Sequence, residues 1–401
     1  MEISGARQVF DGYRIADSEN IQNSSYIFAS RDCLNSSFLF DCRNVSDSFF
    51  AWNRRHGKYF WLNEQLSKDE YQKRLLQINL SSRATLKEYE NKFFNLVGST
   101  ADWPENFNLN ALESSGEYLV NVQCCENCFL CWNGARNLYW VMHGYNRAED
   151  CAFVAGTYGS SKIYESCTVA DSSDCKFCFH IVQSRSMEYC MQCFNCENCF
   201  GCVGLQRKKF YIFNQAYSES EYWQKVDEIK CAMLERGEYG FAFPLSTSYS
   251  YLPQSGPGLY FATEEKDYAL LGGKLFDPES CGAIGSLALD RTPLSIEEIP
   301  DRLDDKSDDL AGKSIFDFRV NRRFAFLKPE IDFYRSRKLP LPDEHFISRV
   351  QKIMSTSNTG IFENQICKVC GKIIRAAKNK LFPNKKIYCH LCYLKYLEEN
   401  N

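Results

Sequence analysis

Four cysteines near the end of the chain have the spacing of a metal site: Cys367-Lys368-Val369-Cys370, eighteen residues, then Cys389-His390-Leu391-Cys392. C-x2-C-x18-C-x2-C falls within the range for a four-thiolate site, and soft thiolates in tetrahedral array select zinc over harder cations. Gly371, directly after the first pair, suits a knuckle whose tight turn aims backbone amides at the sulfurs. Four protein ligands leave no position for a substrate or an activated water, so one structural Zn2+ is expected, with His390 outside the ligand set. A redox dithiol pair, or core cysteines without metal, is the alternative reading.

Cations surround these ligands: Lys368, Lys372, Arg375, Lys378, Lys380, Lys385 and Lys386, with Phe382 and Tyr388 among them. Phosphates supply affinity and rings stack on bases, so these seven cations and Tyr388 are candidate nucleic-acid contacts. Charge distribution points the same way. From Arg319 to Lys395 there are 17 Lys plus Arg against 5 acids, a surplus of +12, and the whole-chain charge of -4 then leaves -16 for the remainder. A basic tail on an acidic body favours an anionic partner, RNA or DNA first or a ribonucleoprotein. The competing expectations are a tail folded back on that acidic body, a solvated face, or a ribbon that binds only protein.

A second group of thiols is denser. Thirteen of the 21 Cys lie between Cys124 and Cys202, including the run Cys190, Cys193, Cys196, Cys199 and Cys202. The run looks like an iron–sulfur ligand set, but an offset of three along a strand points successive thiols to opposite faces, which is poor for chelation. Free Cys behaves as a small buried hydrophobe, so an interior ladder is the expectation and a metal cluster the alternative. The N-terminal residues Met1 to Arg7 lack a secretory apolar core, and no stretch has the length and apolarity of a membrane span. A cytoplasmic setting without membrane association is therefore expected, where thiols stay reduced.

The elements that must position these residues come from an internal repeat. Short aromatic and apolar segments recur at steps of 10 to 12 residues, from Tyr26 to Tyr59 and from Tyr118 to Phe210, separated by polar turns such as Gly159-Ser160-Ser161-Lys162. Four-residue strands joined this way predict a parallel β-solenoid, or β-helix. Cys151, Cys175 and Cys199 recur every 24 residues, which favours coils of two segments, with a tight twelve-residue coil as the alternative. The solenoid is expected twice, because Lys58–Tyr71 aligns with Lys209–Tyr222 without a gap at an offset of 151. Each block ends in a predicted helix with a capping box, Ser67 with Glu70 and Ser218 with Glu221, that would cover the open end of its stack.

The fold expected is mainly β with α caps. Residues 1–110 form a first solenoid module with capping helices, and 111–237 a second, Cys-rich module with its own. Residues 238–313 form an extended connector, in which 301–309 (DRLDDKSDD) is an acidic exposed segment. Residues 314–401 form a basic module, a small zinc-ribbon or treble-clef-like α+β unit.

One stretch resembles a known family. Cys199-Phe200-Gly201-Cys202-Val203-Gly204-Leu205-Gln206-Arg207-Lys208-Lys209, with Asn214 and Ser218-Glu219-Ser220-Glu221-Tyr222, is similar to a family of uncharacterised cysteine-rich repeat and zinc-ribbon proteins of candidate-phylum bacteria. The likeness continues through Pro329–Tyr334, Leu339–Pro342 and Ile387–Tyr393, covering about residues 115 to 397. It implies repeats followed by zinc-ribbon elements and no established activity. Members of that family often carry a further cysteine pair before and after the E-x-x-F-Y and LPLP segment. Ile315 to Arg349 has none, which argues against a second zinc site there.

Glycoside cleavage needs paired carboxylates on one face, whereas Asp150, Asp171 and Asp174 sit at turns. A cysteine nucleophile needs a base, and only His143 and His180 lie in the repeats, neither in a catalytic motif. The function expected is a noncatalytic scaffold, a solenoid platform presenting a basic zinc module to nucleic acid. A pure protein-interaction scaffold is the alternative, followed by a β-helix enzyme acting on polysaccharide or a Cys-ligated cluster protein.

Overall fold

The computed structural model describes residues 13–16, 19–22, 24–247, 251–261, 263–276 and 293–400. Its architecture follows from a rule of three. In Ser24–Ala51 and Ala148–Cys202 every third side chain is buried; from Cys175 the series runs Cys178, Ile181, Ser184, Met187, Cys190 and on to Cys202. The residue before each inward one is left-handed, with φ between +49° at Gln183 and +62° at Gly201 along that run. A left-handed residue turns the chain through a corner, so the next side chain points inward again. The expectation that thiols three apart face opposite ways is therefore overturned, because strict alternation requires extended backbone at every residue.

Four triplets make a 12-residue unit. Parallel pairing sets Ser25 beside Ser37 and Ser37 beside Phe49 in the first module. In the second, Cys175 lies beside Met187 and Met187 beside Cys199. The hydrogen-bonded step is thus 12 residues and not 24: one inward column reads Cys151, Ile163, Cys175, Met187, Cys199, and the cysteines recur at twice the true period. One extra residue enters each of two successive units near the top of the second module, where Gln123 pairs with Arg136 and Arg136 with Glu149.

The narrow interior explains the Ser and Cys content. Ser184 Oγ accepts the Cys196 amide at 3.0 Å, one unit on, and donates to the Val182 carbonyl at 2.9 Å. Ser36 does the same, taking the Ser48 amide at 3.1 Å and giving to Leu34 O at 2.9 Å. Cys190, Cys193 and Cys202 supply the donor half, with Sγ 3.3 to 3.5 Å from the carbonyl two residues back. Each of these corner carbonyls already accepts an amide from the next unit, and the small side chain adds a second hydrogen bond.

Both modules end alike. The last strand of each folds back antiparallel, Phe60 opposite Gln65 and Tyr211 opposite Ala216. Asn63 clamps both backbone groups of Trp52 at 2.8 and 3.0 Å, and Asn214 clamps those of Val203 at 2.9 Å each. Every partner is displaced by 151 residues, so the alignment corresponds to shared geometry. Helices α1 (Lys68–Leu75) and α2 (Arg83–Ser99) follow the first module, and α3 (Glu219–Glu235) the second. Ser218 and Glu221 make the full reciprocal box; at α1 only the Ser67 half forms, because Glu70 turns to Arg74 at 2.9 Å.

Instead of covering an end, α3 lies along the flank. Tyr222 and Val226 pack on Ile212 and Phe200, and Lys230 reaches Glu188 at 2.6 Å.

The expected connector is only partly extended. It holds short helices α4 (Gly256–Tyr260) and α5 (Glu265–Leu270), and its far end belongs to the next unit. Leu294–Ser295 pairs with Ile315–Asp317, and Ile296 and Ile299 share a core with Phe326, Ile331 and Leu341. Its acidic run is engaged: Asp308 pairs with Lys328 at 2.8 Å and Arg335 at 2.5 Å. Helices α6 (Lys328–Ser336) and α7 (Phe346–Thr356) precede the thiolate unit, and α8 (His390–Asn400) ends the described chain.

Candidate metal centre

An antiparallel hairpin, Asn358–Ile366 with Ile373–Asn379, carries the first cysteine pair in its turn. Beyond the last rung, Ile366 with Ile373, the Cys367 amide donates to Lys372 O at 2.9 Å and the Gly371 amide to Cys367 O at 3.0 Å. Gly371 has φ +73°, the left-handed geometry that closes this turn. Lys368 N donates to Ile387 O at 3.0 Å, which ties the turn to the strand Lys386–Tyr388 and so to Cys389. Cys392 follows on the first turn of α8.

The four sulfurs lie within 4.8 Å of one another, and Cys370 Sγ is 3.8 Å from Cys389 Sγ. A tetrahedron with Zn–S bonds of ~2.3 Å has edges of about 3.8 Å. The Cys389 amide also donates to Cys367 Sγ at 3.3 Å. Burial alone would raise the Cys367 thiol, but the amides of Cys370, Cys389 and Val369 outweigh it and bring it down to about 6. Cys392 is pushed up to about 12, first by its hydrogen bond to Cys389 and then by burial. Close thiols sharing so few compensating amides cannot all ionise without a cation, and the group can hold a metal ion of the zinc type. His390 is exposed and outside the group.

The hairpin cations divide. Lys368, Lys372, Arg375 and Lys380 are exposed, Arg375 resting 5.9 Å from the Phe362 ring centre. Lys378 is exposed but pairs with Glu363 at 3.0 Å. Three sequence candidates are committed elsewhere. Lys385 is buried, donating to Asn358 Oδ1 at 2.6 Å and Ala377 O at 3.0 Å, with its Nζ 4.8 Å from the Trp103 ring centre. Burial lowers it to about 8 despite Glu117 and Glu363. Lys386 pairs with the buried Asp102 at 2.6 Å, and Tyr388 is itself buried. Lys385 and Tyr388 are buried away from any phosphate or base, whereas Lys386, though paired, stays 46% exposed.

They instead join the thiolate unit to the first module. Asp102–Pro104 pairs parallel with Lys386–Tyr388, and Phe382 enters the aromatic core beside Trp103, ring centres 5.3 Å apart. Next to Cys392, Tyr393 reaches across to a buried polar cluster. Its hydroxyl makes a short hydrogen bond to Asp41 Oδ2 and accepts from Asn53 Nδ2 at 2.9 Å. Arg55 Nη2 pairs with the same Asp41 oxygen at 2.8 Å. The basic tail thus folds back on the acidic body. Asp41 and Tyr393 carry no sequence signal, since their meeting depends on residues 352 positions apart.

Among the described residues the interior thiols form no second metal-holding group. Burial pushes Cys33 and Cys175 up to about 12, which suits protonated hydrogen-bond donors better than ligands or nucleophiles. His143 and His180 pack against the rings of Tyr260 and Phe194, 4.9 and 5.4 Å between centres. No helix among the described residues is long and apolar enough to cross a membrane. Compared with known proteins, the chain matches no family model, no curated protein and no solved structure.

Proposed function

We propose that the chain is a noncatalytic binding scaffold of the cytoplasm. Two β-solenoid modules with twelve-residue coils form the platform, and a structural zinc ion fixes a treble-clef-like C-terminal unit whose knuckle hairpin meets nucleic acid. The 12-residue register supports the solenoid, and the 3.8 Å sulfur separation supports zinc. One observation supports the nucleic-acid reading: Lys368, Lys372, Arg375 and Lys380 stay exposed on one hairpin and in no ion pair among the described residues, whereas Lys385 is drawn into the fold and Lys378 and Lys386 are paired with acids. Four phosphate contacts on a single strand give a salt slope of about -2.8, or about 50-fold weaker binding between 50 and 200 mM salt.

The experiment is anisotropy of labelled single-stranded RNA and duplex DNA against the full chain, with Lys368→Glu, Lys372→Glu, Arg375→Glu and Lys380→Glu combined. Loss of binding together with its salt slope supports the reading. Unchanged affinity in the variant rejects it.

A protein-binding role has its own support, since several large rings of the second module remain uncovered. Tyr139, Trp140 and Phe153 are 41 to 46% exposed.

A further inference from the structure

One aromatic column runs the length of the second module. Ring centres follow one another from Tyr139 to Phe153 (5.4 Å), Tyr164 (5.8 Å), Phe177 (5.8 Å), Tyr189 (4.7 Å) and Phe200 (5.5 Å). Its lower half is covered by the chain itself. Tyr239, after α3, lies 5.8 Å from Phe177 and 6.1 Å from Tyr189, and the Gly240 amide donates to the Tyr189 hydroxyl at 2.9 Å. Phe177 is left 3% exposed.

The first module holds the same column 151 residues earlier. Tyr26 and Phe38 occupy the positions of Phe177 and Tyr189, with rings stacked at 4.5 Å. There α2 provides the cover: Phe93 lies 5.6 Å from Phe38, and Tyr89 lies 5.8 Å from Phe50. Leu86, Tyr89, Phe93 and Val97 face the column, an i, i+3, i+7, i+11 series. On α3 the series is Tyr222, Val226, Ile229 and Met233. A helix turn rises ~5.4 Å and parallel strands lie ~4.8 Å apart, so a helix laid along the column meets about one rung per turn.

Among the described residues the upper half has no such cover. Tyr139, Trp140, Phe153 and Tyr164 are 41%, 42%, 46% and 39% exposed, a run of neighbouring rings. Two of them also sit in unfavourable backbone, Trp140 at φ +51° and Phe153 at φ +57°. Bulky residues there are outliers, whereas Asn and Asp fill corners such as Asn137 and Asp150. At Tyr26 and Phe38 burial under α2 offsets that strain; at Trp140 and Phe153 no described residue gives comparable cover.

We propose that this run is a docking site for an amphipathic helix of a partner protein, bearing aromatic or large aliphatic residues at i, i+3 or i+4, and i+7. The partner extends along the column the cover that α2 and α3 already provide. The site is independent of the knuckle hairpin and of any nucleic acid bound there.

The test uses a fluorescein-labelled, helix-stapled peptide with the sequence Arg83–Ser99 as the probe, titrated with the zinc-loaded full chain by anisotropy. Saturable binding is expected. It should weaken about tenfold or more in Trp140→Asn/Phe153→Asn, whose asparagines suit left-handed backbone, and in a peptide with Tyr89 and Phe93 replaced by Ser. Far-UV circular dichroism and the urea midpoint of the double variant should match wild type. Absent binding, or equal binding to the variant, overturns the proposal. So does Trp140-dependent binding of cellohexaose without binding of the peptide, which would assign the rings to a glycan.

Discussion

Removing one hydroxyl should test whether metal binding and docking of the C-terminal unit are coupled. Tyr393 follows Cys392 of the four-thiol group, and its hydroxyl is shared between Asp41 and Asn53 in a site where Asp41 is 1% and Arg55 13% exposed. Hydrogen bonds to a charged group contribute about 1.5–3 kcal/mol, so Tyr393→Phe should cost about 2 kcal/mol, roughly a 30-fold shift in the folded ratio. Asp41→Asn should cost more, about 3–5 kcal/mol, because it leaves the Arg55 guanidinium without its carboxylate.

The metal dependence is more telling than either number. If zinc fixes the start of α8, chelation frees Tyr393 from the cluster, and Tyr393→Phe should then cost less than about 0.5 kcal/mol. Urea titration followed by tryptophan fluorescence reads this, since Trp103 packs against Phe382 of the docked unit. An equal loss with and without chelator would refute the coupling.

Other outcomes follow from the same geometry. Ser184→Ala strands the Cys196 amide, while the Val182 carbonyl keeps the Asn195 amide, and should cost about 1–3 kcal/mol by urea unfolding, whereas Ser184→Cys keeps the donor and should cost less. Lys385 titrates near 8 when folded, below its ordinary value of 10.5, so between those values the unfolded chain holds more protons. Stability should therefore rise with pH from about 7.5 to 10 relative to Lys385→Met, whose curve should lack that component. Asn214→Ala removes two clamping hydrogen bonds at the end of the second module and should raise amide exchange across Val203–Phe213 before affecting the upper repeats.

The thiolate group was legible because its ligands are local in sequence: two Cys-x2-Cys pairs and Gly371 encode their own turns. The duplicated ending was legible for the same reason, since Asn63 and Asn214 each clamp a residue eleven positions back. The 12-residue period was not, because Cys, Ile and Met share one inward column and only the cysteines are distinctive by type. Left-handed corners occupied by Phe, Tyr, Gln and Cys leave no mark that a glycine or asparagine would leave. The fates of Lys385, Lys386 and Tyr388 were illegible in principle. They depend on Trp103 and Asp102, which the fold brings from almost three hundred residues away.

We propose that Cys367, Cys370, Cys389 and Cys392 hold one zinc whose binding keeps the C-terminal unit on the body. Elemental analysis paired with hydrogen exchange of the full chain and of Cys367→Ser/Cys370→Ser tests it most directly. About one zinc per chain, lost in the variant together with amide protection across Lys386–Asn400, is the predicted result. Iron in place of zinc, or a metal-free variant with that segment still protected, would contradict it.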